Sequence, residues 1–167
     1  MIISHQHKFI LLNPPKTGTG YREGVLAKGN SDINLWTDRS GIRHHNVEYT
    51  LKYLKDNHLE DKCKDYFWFT FVRNPWTRME SWFNMIIQSM SEEQVKNLTP
   101  KDFSQKVMGD LLNYNEGKNK FNGSLETYCL KNGKPLDFIG KLENASEDLK
   151  FISKRLKLQL NFEPKTG

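Results

Sequence analysis

Tyr66-Phe67-Trp68-Phe69-Thr70-Phe71-Val72-Arg73-Asn74-Pro75 is the stretch on which the fold turns. Its first seven residues are aromatic or β-branched with no polar alternation, the pattern of a strand covered on both faces. Such a strand belongs inside a sheet, not at its edge. The run ends on Arg73. Asn74 then suits a helix N-cap, and Pro75 suits the first helical position, where a missing N–H costs nothing. The helix that follows carries Met79, Trp82, Phe83, Ile86 and Met90 at i, i+3, i+4, i+7 and i+11, which predicts a buried stripe. Ser81 stands off that stripe, one turn after Arg78.

The same strand-then-helix grammar recurs on both sides. Toward the N-terminus, Lys8-Phe9-Ile10-Leu11-Leu12 is a short apolar run stopped by Asn13-Pro14-Pro15, a buried strand and a turn. Lys16-Thr17-Gly18-Thr19-Gly20 then forms a loop that opens a helix beginning at Tyr21-Arg22, whose first turn offers N–H groups to a ligand. Between these segments Asn46 predicts the cap of a helix with Val47, Leu51 and Leu54 on one face, and Arg43-His44-His45 stands just ahead of it. Toward the C-terminus, Asp137-Phe138-Ile139-Gly140 reads as a short strand, and a last helix begins at Asn144 and runs through Leu156. Residues 88–135 read as a helical and loop insertion, with a capped start at Thr99-Pro100-Lys101-Asp102-Phe103 and a polar loop over 113–123. Strands alternating with helices predict a single α/β domain over residues 1–167, with a mainly parallel central sheet flanked by helices. Its ligand is expected at the C-terminal edge of the strands.

Composition bounds what that ligand is. The chain has 167 residues, 37% of them hydrophobic and 12% aromatic, with 25 Lys+Arg against 20 Asp+Glu for a net charge of +5. The aromatic share is too high for a disordered chain despite a mean hydropathy of −0.72. Residues 1–45 hold six basic and three acidic side chains, residues 148–167 five and two, and the middle fourteen and fifteen. A nucleic-acid-binding module would interleave Lys and Arg with exposed aromatics, whereas these aromatics fall at strand and helix-core positions, so nucleic acid is not an expected partner. Nothing approaches the roughly 18 apolar residues of a membrane span and the N-terminus lacks a signal peptide's pattern, so the expectation is a cytoplasmic chain with no membrane partner. Cys63 and Cys129 have no CxxC spacing, which suits free thiols better than a zinc site.

The first loop is not a Walker A loop, because Pro15 stands directly before Lys16 where that motif needs a glycine, and the glycines follow Lys16. Backbone N–H groups of Thr17 to Gly20 can still wrap an oxyanion while Lys16 adds a compact charge. A surface turn with an exposed lysine is the alternative reading. Arg73 and Ser81, eight residues apart, add a second anion site at the same sheet edge. These residues resemble the nucleotide-dependent sulfotransferase family. Pro15-Lys16-Thr17-Gly18-Thr19-Gly20-Tyr21 is similar to its 5′-phosphosulfate loop, and residues 71–83, with Arg73 and Ser81, to its 3′-phosphate motif. Phe138-Ile139-Gly140-Lys141-Leu142-Glu143-Asn144 resembles a segment of the branch that includes carbohydrate sulfotransferases.

The resemblance implies a sulfotransferase-type, P-loop NTPase-like core and transfer of a sulfuryl group from 3′-phosphoadenosine 5′-phosphosulfate (PAPS), releasing 3′-phosphoadenosine 5′-phosphate (PAP), to a hydroxyl or amine. It implies that Lys16 is catalytic, that Lys16 with Thr17, Gly18, Thr19 and Gly20 holds the 5′-phosphate, and that Arg73 and Ser81 hold the 3′-phosphate. Tyr21 would pack on the adenine. The implied partners are this nucleotide co-substrate and a hydroxyl-bearing acceptor, a sugar or small molecule on the branch analogy, with no metal. A histidine suits the general base. Aligning the cap at Asn46 favours His44, and aligning the apolar helix face favours His45, so both are candidates. Arg22, Arg78 and Glu143 are expected to support the site, and His5, His7 and His58 to stand outside it. The alternatives are an inactive nucleotide-binding homologue or binding module, and a kinase-like phosphoryl transferase, which the loop order disfavours. The sequence stops at residues 161–167, near where relatives carry a basic loop and a closing helix. A second copy supplying that cover, and hence a homo-oligomer, is the corresponding expectation.

Overall fold

The computed structural model describes residues 1–27, 34–35, 44–99, 101 and 125–160. In chain order these form β1 (Ile2–Ser4), β2 (Phe9–Leu12), α1 (Thr19–Ala27), β3 (Asn34–Leu35), α2 (Val47–Asp56), α3 (Glu60–Cys63), β4 (Phe67–Val72), α4 (Pro75–Gln88) and α5 (Glu92–Lys96). Then come α6 (Glu126–Cys129), β5 (Leu130–Lys131), β6 (Lys134–Pro135), β7 (Phe138–Lys141), a 3₁₀ turn (Leu142–Asn144) and α7 (Ala145–Leu156). The main sheet has the order β3-β1-β2-β4-β7. β4 pairs in parallel with β2 on one side and with β7 on the other, as its sequence predicts for an interior strand. β1 runs antiparallel to β2 and to β3. A three-strand parallel core thus carries an antiparallel extension. Because β2, β4 and β7 run the same way, Asn13, Arg73 and Leu142 leave the sheet at one edge.

Alternate residues of the strands feed two separate cores, which accounts for the unbroken apolar runs. Ile10, Leu12 and Trp68 pack on one face with Val47 and Leu54 of α2. Phe9, Leu11, Phe69 and Phe71 pack on the other with Val25 and Leu26 of α1 and with Leu149 and Ile152 of α7. Each fully buried side chain of this size stabilises the fold by roughly 1.5–3 kcal/mol, so the strand runs dominate folding. The start of β4 is pinned by a carboxylate: the Trp68 amide donates to Asp137 Oδ2 at 2.7 Å. At the other end of the pairing with β7, Gly140 faces the Phe71 ring so closely that a Cβ would lie 2.6 Å from its Cε1. Phe71 is fully buried and cannot swing aside. Gly140→Ala is therefore expected to destabilise the fold by about 1–3 kcal/mol, read as a lowered thermal midpoint, and an unchanged midpoint would contradict this packing.

One expectation needs correction. The stripe on α4 is not buried: no residue of that helix is, and Trp76 is 82% exposed. Met79, Trp82, Phe83, Ile86 and Met90 are half-buried, and none belongs to either core. The reason is that α1, α2 and α7 already cover the two sheet faces, so α4 can begin at the sheet edge without lying across either. The predicted start of α2 is found as expected, with Asn46 Oδ1 accepting from the Tyr49 amide at 2.9 Å. Of residues 88–135, the structure describes α5, α6 and the β5–β6 hairpin; residues 100 and 102–124, with most of the predicted capped start and the polar loop, lie outside the described residues. Among the described residues no helix is long and apolar enough to cross a membrane.

Candidate active site

The loop after β2 is built by its own backbone. Lys16 and Gly18 take left-handed φ values of 63° and 76°, on either side of Thr17. For lysine that conformation costs roughly 1–2 kcal/mol, a strain that persists only where surroundings enforce it. They do so from several directions. Thr17 and Thr19 donate their hydroxyls to the Pro14 carbonyl at 2.8 and 3.3 Å. Beneath the loop, fully buried Arg22 donates from Nη1 to the Thr17 carbonyl and from Nη2 to Thr17 Oγ1 at 3.1 Å and Asn13 Oδ1 at 3.4 Å. Its guanidinium lies 4.7 Å from the centre of the Phe71 ring. Gly18 is required twice over, by its φ and because a Cβ there would meet Leu142 Cδ1 at 2.5 Å. The turn after β7 therefore closes against the loop after β2.

The end of β4 reaches the same loop. Arg73 donates from Nε to Thr77 Oγ1 at 3.1 Å and from Nη1 to the Lys16 carbonyl at 3.4 Å. One turn into α4, Arg78 Nε donates to the Pro15 carbonyl at 3.1 Å. Asn74 caps α4 through Oδ1, which accepts from the Trp76 and Thr77 amides, and its own amide donates to Glu143 Oε1 at 2.7 Å. That hydrogen bond holds the Glu143 carboxyl below the usual carboxylate range. The predicted supporting residues Arg22, Arg78 and Glu143 thus each brace a loop at the site. Burial, and secondarily the nearby Arg73 charge, lowers the pKa of Lys16. Two cations are held side by side at a strand edge next to a helix N-terminus, an arrangement that favours a ligand carrying several negative charges.

The two histidines part company. His44 Nδ1 lies 2.7 Å from the Asn13 carbonyl. A carbonyl only accepts, so Nδ1 carries a proton, and in the neutral ring Nε2 holds the lone pair. The Tyr128 hydroxyl donates to the His44 carbonyl at 3.1 Å and fixes the backbone behind the ring. His45 is 1% exposed and stacks on Tyr49 with ring centres 4.4 Å apart. His44 is thereby tied to the strand end that starts the Lys16 loop.

Tyr21 stands exposed near the start of α1, Gly20 has open space around it, and Ser81 is half-buried on α4. Three contributors escaped sequence reading. Asn13 looked like a turn residue, yet its side chain and carbonyl hold Arg22 and His44. Thr77 sits inside the motif that singled out Arg73 and Ser81, and its threonine at i+4 from the arginine was the available signal. Tyr128, 84 residues from its partner, left none. Among the described residues no group of three or more His, Cys, Asp or Glu is placed to hold a metal.

No curated protein and no solved structure matches the chain. A sequence model described as the sulfotransferase family does match, from residue 1 to residue 165. With its three strand-end segments meeting at one anion-attracting edge and that match covering nearly all of its length, the chain belongs to the sulfotransferase family.

Proposed function

We propose that this chain moves a sulfuryl group from PAPS to a hydroxyl or amine of an acceptor, a carbohydrate or small molecule, by in-line transfer. The observation that carries the reading is the hydrogen bond from Arg73 to the Lys16 carbonyl, which joins two anion-binding segments 57 residues apart at one sheet edge. Lys16 meets the charge that grows on the departing 5′-phosphate as the S–O bond to it breaks. Backbone N–H groups of Thr17, Gly18, Thr19 and Gly20 hold that phosphate, since both threonine hydroxyls are already committed to Pro14. Arg73 and Ser81 take the 3′-phosphate, and Tyr21 offers its exposed ring to the adenine. His44 Nε2 accepts the acceptor's proton as its oxygen or nitrogen bonds to sulfur. The sulfuryl group carries less charge than a phosphoryl group, so a lysine suffices where a kinase uses Mg²⁺. The same reading takes residues 1–167 as one cytoplasmic sulfotransferase domain with a P-loop NTPase-like core and residues 88–135 as an insertion.

Calorimetric titration with PAP, AMP and ATP tests this directly. PAP is expected to bind more tightly than AMP, because only PAP fills both anion sites. A preference for ATP would point to phosphoryl transfer, and equal affinities for PAP and AMP would remove the 3′-phosphate site. The base has its own test. His44→Ala is expected to lower turnover about 10²- to 10⁴-fold with PAP affinity unchanged. His45→Ala, which empties a buried stacked position, is expected instead to lower the thermal midpoint while the folded fraction keeps its turnover. The reverse pattern would move the role to His45, and full activity in both variants would leave the site without a histidine base.

A further inference from the structure

Arg22 is fully buried beneath the Lys16 loop and holds two consecutive carbonyls of that loop. Its guanidinium donates from Nη1 to the Thr17 carbonyl, and its backbone N–H donates to the Gly18 carbonyl at 3.2 Å. Neither peptide is cis, and in a trans peptide the N–H points opposite to the C=O. The N–H groups of Gly18 and Thr19 are therefore turned away from Arg22. Left-handed backbone at Lys16 and Gly18 is of the kind that curves successive N–H groups into a concave anion site. Further contacts fix where the charge of Arg22 lies. Nη2 donates to Thr17 Oγ1 and Asn13 Oδ1, both in fully buried residues, and the guanidinium packs on the buried Phe71 ring. An arginine keeps its charge at every pH at which a protein is folded, and burial shields that charge from screening by salt. The Thr17–Gly18 peptide thus lies between a permanent cation and any anion that the Gly18 N–H takes, and hydrogen bonds linked in this way strengthen one another.

We propose that Arg22 is a positioning cation of the 5′-phosphate site: without touching the nucleotide, it turns the Gly18 and Thr19 N–H groups toward the phosphate and adds its own charge through the Thr17–Gly18 peptide. The inference rests on the reading of this loop as the 5′-phosphate site. Lys16 and Arg22 then divide the work, the lysine meeting the phosphate directly and the arginine acting on it from beneath the loop. Negative charge grows on that phosphate as the S–O bond breaks, so the buried charge stabilises the transition state more than it stabilises the bound nucleotide. Loss of the charge should therefore lower turnover as well as affinity.

The test is calorimetry comparing PAP with adenosine 3′-phosphate, which lacks only the 5′-phosphate, so that the ratio of the two affinities measures what that phosphate contributes. Arg22→Met, similar in length and uncharged, is expected to cut this ratio by about tenfold or more, while adenosine 3′-phosphate binding changes by less than about twofold. Arg22→Lys keeps the charge without the planar fork and should recover part of the ratio even where its thermal midpoint is no higher than that of Arg22→Met. A mere brace would not separate the ratio from the midpoint in this way. Equal losses of the ratio in both variants would overturn the role of the charge, and an unchanged ratio in Arg22→Met would overturn the proposal outright. Lys52→Gln removes a positive charge from an exposed helix surface and should leave the ratio within about twofold; a loss as large as that of Arg22→Met would leave only net charge. In nuclear magnetic resonance spectra of the wild-type protein, the Arg22 side-chain N–H signals and the Gly18 amide signal should shift together as PAP binds and stay in place with adenosine 3′-phosphate. Arg22 signals that do not respond to PAP would overturn the coupling even if both variants misfold. Equal affinities of the wild type for the two nucleotides would sink the 5′-phosphate reading itself, whereas a wild-type preference that Arg22→Met retains would sink the role of Arg22 alone.

Discussion

Arg73→Ala is expected to weaken PAP binding about tenfold to hundredfold while AMP binding changes by less than about threefold. The magnitude is that of a charged hydrogen bond to a phosphate, about 1.5–3 kcal/mol, with every 1.4 kcal/mol a factor of ten in affinity. The selectivity is the informative part. Arg73 has two structural bonds, to Thr77 Oγ1 and to the Lys16 carbonyl, so its loss could also loosen the 5′-phosphate loop. A loosened loop would weaken PAP and AMP together. Loss of a 3′-phosphate ligand weakens PAP alone and abolishes the difference between the two nucleotides. Parallel losses would therefore overturn the assignment of Arg73 to the 3′-phosphate and leave it as a brace for Lys16. Arg73→Lys adds resolution, because a lysine keeps the charge but not the planar fork, and it should restore only part of the PAP preference.

The distance between sequence and site was short where chemistry is local and long where packing decides. β2 and β4 were legible because strands buried on both faces are apolar, aromatic or β-branched along their length, as Phe9–Leu12 and Phe67–Val72 are. The loops after them were legible because lysine, glycine and proline mark a backbone that turns, and parallel strands then bring their C-terminal ends to one edge without further information. β1 was not, because Ile2–Ser4 is three residues long and shows no period. The stripe on α4 misled for a different reason. Periodicity reports that a helix has an apolar side, but not whether the sheet has a free face to receive it, and here α1, α2 and α7 occupy both. The choice between His44 and His45 was likewise closed to sequence, since adjacent side chains diverge only once the chain entering α2 is fixed. That path depends on Asn13 and Tyr128, which are distant in the chain and close in space.

Lys16→Ala is expected to lower turnover by about 10²- to 10³-fold while PAP affinity falls less than about tenfold. Removing one preorganised group that meets transition-state charge costs about 2.7–4 kcal/mol of barrier, whereas in the proposed site the desulfated nucleotide would keep the loop N–H groups, Arg73 and Ser81 as ligands. Alanine keeps the Cβ and therefore the left-handed strain at this position, so backbone relaxation does not confuse the comparison. The pH profile provides a second signature. Burial and Arg73 both lower the Lys16 pKa, so in the unliganded protein the ammonium loses its proton at a lower pH than an ordinary lysine does. The charged form is the one that binds and stabilises the phosphate, so kcat/KM should fall as pH rises through that depressed value. Bound nucleotide brings negative charge against the ammonium and raises its pKa again, so the alkaline fall of kcat should lie at higher pH than that of kcat/KM. Lys16→Ala should lose this alkaline fall from both profiles. Equal losses of turnover and PAP affinity, with the alkaline fall intact, would mean that Lys16 only binds and that another group meets the charge of the leaving phosphate.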